Sequence, residues 1–247
     1  MKFFFVRCLF YYLIFFPLHI KATEQVLAYV ESIPPFVVIN QAGISGAAIS
    51  ILNEALRESN VAIDYQNIIW ARAFFESKSK PNIILTGLNR TAYREQHFHW
   101  LLKLPLTSNR QHVFLWHVKN KKVELKNASL AVVQGEHKKN YYKYYVESLG
   151  FTPNIFTVGT RAQVIHMLFR HRVDYMLGGE LGMPSMIKEL GYDPTMMERG
   201  VQLKSTSQGL YIAISKHTDI KLVNRIKKAL DDLSKNGRII EIMSSWE

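Results

Sequence analysis

From Gln25 onward, apolar runs of strand length alternate with segments whose apolar residues recur at helical spacing. The run 25–30 (QVLAYV) reads as a buried strand. The stretch 46–59 (GAAISILNEALRES) reads as a helix with Ile49, Leu52 and Leu56 on one face, and 61–68 as the next strand. A short helix follows over 70–77, then a third strand over 82–85 (NIIL), a polar turn over 87–91 and a helical turn through Arg94. A second series begins near Arg110: strands over 112–118, 129–133, 154–158 and 173–177, with helices over 138–148 and 160–171. The stretch 209–215 (GLYIAIS) is a further strand. An amphipathic helix over 219–236, a stop at Asn236-Gly237 and a helix over 238–246 close the chain. This alternation predicts an α/β protein with largely parallel sheets. No low-complexity linker separates the two series, and no repeat of about 20 to 50 residues is visible.

The first 22 residues break the pattern. Met1, Lys2 and Arg7 form a basic start, an apolar run (CLFYYLIFFPL) follows, and His19-Ile20-Lys21-Ala22 is a polar exit. The run is about 11 residues, too short for a bilayer that needs about 20, so segment 1–22 reads as a secretory signal peptide, with an uncleaved anchor as the alternative. The one cysteine, Cys8, falls inside it, so the mature chain has no thiol for a disulfide, for catalysis or for a metal. With 247 residues, 48% of them hydrophobic, the chain can bury a substantial core and form two lobes. Its 31 basic residues exceed its 20 acidic ones, and without Lys2, Arg7 and Lys21 the balance is still about +8. Those charges are scattered rather than gathered in a tract, and export argues against nucleic acid as partner. An anionic envelope surface and an acidic ligand remain as readings of the charge, which leans to the ligand.

Several motifs, in order, resemble one family. Ile33-Pro34-Pro35-Phe36 is similar to a "PPF" turn after the first strand, residues 43–53 (GISGAAISILN) to a glycine-spaced entry into the first helix, and Ile69-Trp70-Ala71-Arg72 to the next helix start. Residues 88–100 (LNRTAYREQHFHW), 130–135 (LAVVQG) and the ending from Gly209, with Lys216, Leu230 and Gly237 in place, complete the likeness. Together these resemble the family-3 extracellular solute-binding proteins, the amino-acid-binding type that serves ABC transporters. The resemblance implies a type II periplasmic-binding-protein fold, in which each lobe is a β-sheet flanked by helices and a hinge lies between. Lobe 1 is placed at 23–106 plus 210–247 and lobe 2 at 107–209. It also implies a periplasmic monomer that closes on a small-molecule solute, with an ABC permease or a membrane sensor as protein partner and no cofactor.

The likeness carries over onto particular residues. Arg94 stands where the family keeps an arginine on the ligand α-carboxylate, a role that suits a planar guanidinium able to give two charge-assisted hydrogen bonds. Thr86, Gly87 and Asn89 precede it in the turn that contacts the same group. Trp70 and Arg72 open a helix at the cleft, as an apolar wall and a reach toward an acidic substituent, and Phe36 is a stacking candidate; each is equally readable as core or surface. In lobe 2, Gly135 and Glu136, with His137, sit between a strand and a helix. Thr160 and Arg161 begin another helix, where an N-cap role would account for Thr160 fully. The sequence departs from the family at residues 174–180 (DYMLGGE). The aspartate that meets a ligand ammonium falls at Gly179, so either the neighbouring Glu180 substitutes or the ligand has no ammonium there.

Two other readings stay open. Cyclohexadienyl dehydratases resemble these binding proteins, and Glu180 or Glu136 could then be a general acid beside Arg94. A sensor or adaptor domain is the third. No hydrolase elbow, zinc-protease or P-loop motif is present. His97 with His99, and His166 with His171, lack a third partner at metal-ligand spacing, so the expectation is a non-enzymatic protein without metal.

Overall fold

The computed structural model describes residues 24–105, 112–119, 123–179, 182–205 and 207–246. Segment 1–22 and Glu180 therefore lie outside the described residues. Among the described residues, no helix is long and apolar enough to cross a membrane.

The first part of the chain forms β1 (Gln25–Val30), a hairpin of β2 (Val38–Asn40) and β3 (Gly43–Ser45), helix α1 (Ala47–Glu58), β4 (Ala62–Asn67), α2 (Trp70–Ser77), β5 (Ile83–Asn89), the single turn α3 (Ala92–Glu95) and β6 (Phe98–Lys103). The second part forms β7 (Val113–Val118), β8 (Ser129–Val133), α4 (Lys139–Ser148), β9 (Asn154–Val158), α5 (Arg161–Phe169), β10 (Tyr175–Gly178), α6 (Met183–Glu189) and β11 (Met197–Leu203). The chain then returns through β12 (Leu210–Ser215) to α7 (Ile220–Lys235) and α8 (Arg238–Ser244).

Two five-stranded sheets result, in the orders β4-β1-β5-β12-β6 and β11-β7-β10-β8-β9. They are mixed, which corrects the expectation of largely parallel sheets. β1 runs parallel to β4 and β5, and β8 runs parallel to β9 and β10. β12 is antiparallel to β5 and β6, while β7 is antiparallel to β10 and β11. The cause is the double crossing between the sheets: β6 leads out where β12 leads back in, and β7 leads in where β11 leads out.

Each sheet buries both faces, and alternate residues of one strand serve different cores. In β1, Val26, Ala28 and Val30 face the core under α1, α7 and α8, whereas Tyr29 faces the smaller core under α2. In β8, Ala131 and Val133 pack with α5 and α6, and Leu130 and Val132 with Tyr141, Tyr142 and Val146 of α4. Burying one such large apolar side chain contributes about 1.5–3 kcal/mol. Helix α1 buries Ala48, Ile51, Leu52, Ala55 and Leu56 at helical spacing, and α7 does the same with Leu222, Val223, Ile226, Leu230 and Leu233.

The entry to α1 fixes a loop that matters later. Gly46 has φ +124°, and a Cβ there would lie 2.4 Å from the Phe36 carbonyl oxygen. That proximity lets the N–H groups of Ala47 and Ala48 donate to the carbonyls of Pro35 and Phe36 at 2.9 and 3.0 Å. Free N–H groups at the helix start are thereby satisfied, and the turn over 33–37 is locked to the core.

Candidate functional site

A cleft of about 160 Å³ lies between the two sheets. Strand ends and the loops after them build it, as expected for open α/β sheets. Glu31 and Ser32 follow β1, Gly87 and Asn89 lie at the end of β5, Gly178 ends β10 and Gly179 follows it; all line the cleft. Its walls are largely apolar, with Ile33, Phe36, Trp70, Met183 and Leu210 among them.

Arg94 is the central feature. The turn α3 directs it inward, while its neighbours Arg90 and Glu95 pair with each other at the surface. Arg94 is only 3% exposed, and its guanidinium lies 4.9 Å from the Phe74 ring and 5.5 Å from the Trp70 ring. Its Nη1 donates to the Asn89 carbonyl at 3.1 Å. Among the described residues no carboxylate forms an ion pair with it. Burial pulls its pKa down to about 10. The ring faces and one carbonyl offset only part of the cost of burying a cation, so the site calls for an anion.

Across the cleft, Glu136 is buried between two cations, with Arg161 at 3.2 Å and Lys138 at 3.3 Å. Burial alone would raise its pKa, yet these neighbours outweigh it and hold the carboxyl at about 2. Glu136 is thus ionised and occupied. Burial, then Arg94 and Lys138, push the His137 imidazole down to about 3, so it is neutral, and its buried Nε2 has no hydrogen-bond partner among the described residues. Glu31 is raised by burial and has no ion-pair partner among the described residues. Among the described residues that line the cleft, Arg94, Arg161 and Lys138 stand against Glu31 and Glu136, a positive excess. Among the described residues, no group of three His, Cys, Asp or Glu is placed to hold a metal ion.

The lobes touch across this cleft. Trp70 packs against both the second lobe's core and the aromatic core of the first. A Cβ at Gly135 would sit 3.7 Å from the Trp70 ring, and one at Gly182 would fall 2.4 Å from the Pro34 carbonyl oxygen. The hydroxyl of Ser207, on the crossing segment, donates to Asn89 Oδ1 at 3.0 Å.

Of the residues singled out from sequence, Arg94, Trp70, Asn89, Gly87, Phe36, Glu136 and Arg161 meet at the cleft. Phe36 is at the same time fully buried in the lobe-1 core. Gly87 and Asn89 lie on β5, which runs on through Asn89 where a turn was expected. Thr86 is buried on that strand with its hydroxyl unpartnered and does not line the cleft. Arg72 is not brought in: its side chain is 71% exposed and pairs with Glu76 at 2.8 Å. Thr160 caps α5 in a reciprocal capping box with Gln163, and its residue lines a second, adjoining cavity. Gly135 does not line the cleft, although a Cβ added there would come within contact of the Trp70 ring. Sequence reasoning missed Glu31, Ser32 and Lys138. Position just past a strand end was the available signal for the first two.

The family model for bacterial extracellular solute-binding proteins, family 3, matches residues 26–247. Among solved structures, the chain is similar to a histidine kinase sensor domain with similarity to periplasmic binding proteins, at 15% identity over 92% of this chain and 96% of that one, TM-score 0.73. It is similar to a structure from the description of glutathione import via GshT and the cystine ABC importer TcyBC of Streptococcus mutans, at 18% identity, 91% and 95% coverage and TM-score 0.73. It is also similar to a Salmonella typhimurium periplasmic binding protein of high arginine specificity, at 16% identity, 90% and 99% coverage and TM-score 0.72. A comparison with curated proteins finds no match. At these identities the structural likeness concerns the fold: two lobes with helices on the faces of two mixed sheets.

Proposed function

This chain belongs to the bacterial extracellular solute-binding proteins of family 3, and from that premise we propose that it captures a small organic anion, amino-acid-like or a simple carboxylate, by closing its lobes around Arg94. The observation that carries this reading is a buried guanidinium lining the cleft with no carboxylate partner among the described residues. A ligand carboxylate would supply the missing charge and accept two hydrogen bonds, and Trp70 and Phe74 hold the guanidinium in place for it. Lobe 1 (23–106 and 210–247) and lobe 2 (107–209) would move as bodies about the crossing segments. The chain would act outside the cytoplasm after export by segment 1–22, as a monomer that binds without turnover and delivers its solute to an ABC permease.

A sensor role is the second reading, favoured by the likeness to a histidine kinase sensor domain. It shares the same cleft and differs in the partner that reads closure.

A thermal-shift screen of the purified protein against amino acids, dicarboxylates, aromatic acids, polyamines and short peptides tests the shared claim. A ligand at about 100 times its dissociation constant adds about 2.7 kcal/mol, a rise of roughly 5–10 °C for this size. The shift is expected from acids and is lost in Arg94→Ala. A polyamine hit that survives Arg94→Ala contradicts it.

A further inference from the structure

A second cavity of about 420 Å³ adjoins the one that holds Arg94, and the two share Glu31, Ser32, Trp70, Arg161 and Met186. The inner cavity, about 160 Å³, is below the roughly 300–1,000 Å³ usual for small-ligand pockets, and the space open to a ligand of Arg94 reaches that range only by continuing into the outer cavity.

Charge is distributed unevenly along this path. Inside, Arg94 awaits an anion, and Glu136 is engaged by Arg161 and Lys138. Among the described residues, the other lining carboxylates are Glu31, which lines both cavities at their junction, and Glu189, which lines the outer one, and neither has an ion-pair partner there. Arg94 lines only the inner cavity and Glu189 only the outer one, a separation that a ligand with its two charges on different atoms of an extended chain can span and an α-amino acid, with both charges on one carbon, cannot.

The outer lining mixes apolar groups (Ile68, Leu190) with amide and hydroxyl groups (Asn67, Thr160). At the junction, the buried Ser32 hydroxyl has no hydrogen-bond partner, and rotation about one bond turns it toward a passing amide. A chain of amides with side chains between them matches this alternation.

We infer that the solute is an elongated zwitterion of the short-peptide class, its carboxylate on Arg94 and its chain passing Trp70 to bring its ammonium to Glu31 and Glu189. This rests on the reading of Arg94 as the anion site. The ligand's length and its second charge are the additions.

The test is titration calorimetry on the purified protein with the twenty amino acids, 5-aminopentanoate and mixed di- and tripeptides, followed by resynthesis of the tightest peptide with an acetylated N-terminus. A peptide is expected to bind at least about tenfold tighter than any single amino acid. Acetylation should weaken it by at least about tenfold in the natural protein and by less than about twofold in the Glu31→Gln, Glu189→Gln double variant. Ala162→Phe, which fills the outer cavity, should cost the peptide at least about tenfold more than it costs a single amino acid. Amino acids that bind as tightly as peptides, an acetylated peptide that binds unchanged, or no binding by any peptide each overturn the inference. Arg94→Ala separates the two levels. If it leaves acids bound, the anion-site reading fails; if it abolishes binding while length is without effect, only the peptide inference fails.

Discussion

Replacing Glu136 by glutamine keeps the side chain's shape and deletes the carboxylate charge with which Arg161 and Lys138 both pair. In the natural protein the carboxylate lies 3.2 Å from one cation and 3.3 Å from the other. Removing one member of a buried ion pair costs about 3–5 kcal/mol, because the partner charge stays buried without compensation. The cations keep some solvent contact, with side-chain exposures of 18% for Arg161 and 16% for Lys138, which points to the lower end. At about 3 kcal/mol, and about 2–4 °C per kcal/mol for a chain of this size, Glu136→Gln should lower the melting midpoint by roughly 6–12 °C. The sign with pH follows from a depressed folded pKa. Glu136 contributes its stability above its ordinary 4.5, and that contribution is lost as pH falls through about 2, so natural protein and variant converge in acid. Differential scanning calorimetry at pH 7 and pH 3 measures both effects. Succinate, which can occupy the newly uncompensated cations, should recover more of the loss than sodium chloride of equal ionic strength. A midpoint drop under about 2 °C, or equal recovery by both salts, would refute the reasoning, since the triad would then behave as a screened surface network.

Three further expectations follow from particular contacts. The unfolded chain protonates His137 near its ordinary 6.5, whereas the folded protein resists until about 3, so stability should fall by about 1–2 kcal/mol between pH 6.5 and 5; denaturant titrations should show that slope flattened in His137→Gln, and an unchanged slope contradicts the burial argument. Gly46→Ala meets both a φ of +124° and the Phe36 carbonyl, while Gly43→Ala at φ +118° meets open space, so the first should cost at least about 2 kcal/mol more in chemical denaturation. Gly182→Ala would place a methyl 2.4 Å from the Pro34 carbonyl across the cleft, so ligand affinity should drop at least about tenfold with an enlarged radius of gyration in small-angle scattering; unaltered affinity means that this approach plays no part in closure.

Much of the fold is legible because many of its strands carry apolar runs: QVLAYV and SLAVV mark the interior strands β1 and β8, and NIFTV the edge strand β9, to the residue. The edge strands β6 and β11 and the short elements are not. β11 (MERGVQL) buries only its two end residues, so it shows no apolar run, and its absence from the reading helped make the sheets look more parallel than they are. β6 is obscured by His99 and Trp100 within a segment read for its motif rather than its period. Helix α6, seven residues entered through the left-handed Gly182, is too short for periodicity to speak. At the site, Arg94 and Trp70 are visible from order and spacing. Glu31 is not, because its significance comes from two lobes meeting, and neither is Lys138, whose pairing with Glu136 is made by the folding of the loop before α4. Likewise the tie between Arg72 and Glu76, four residues apart, is a local helix pair that competes with any reach toward the cleft.

The most direct measurement is a crystal structure of the protein with the tightest-binding acid from the screen. The account predicts the acid group in the inner cavity, with its oxygens about 2.7–2.9 Å from the Arg94 guanidinium and both lobes in contact with the ligand. An acid bound elsewhere, or held in the cleft with Arg94 untouched, would contradict it.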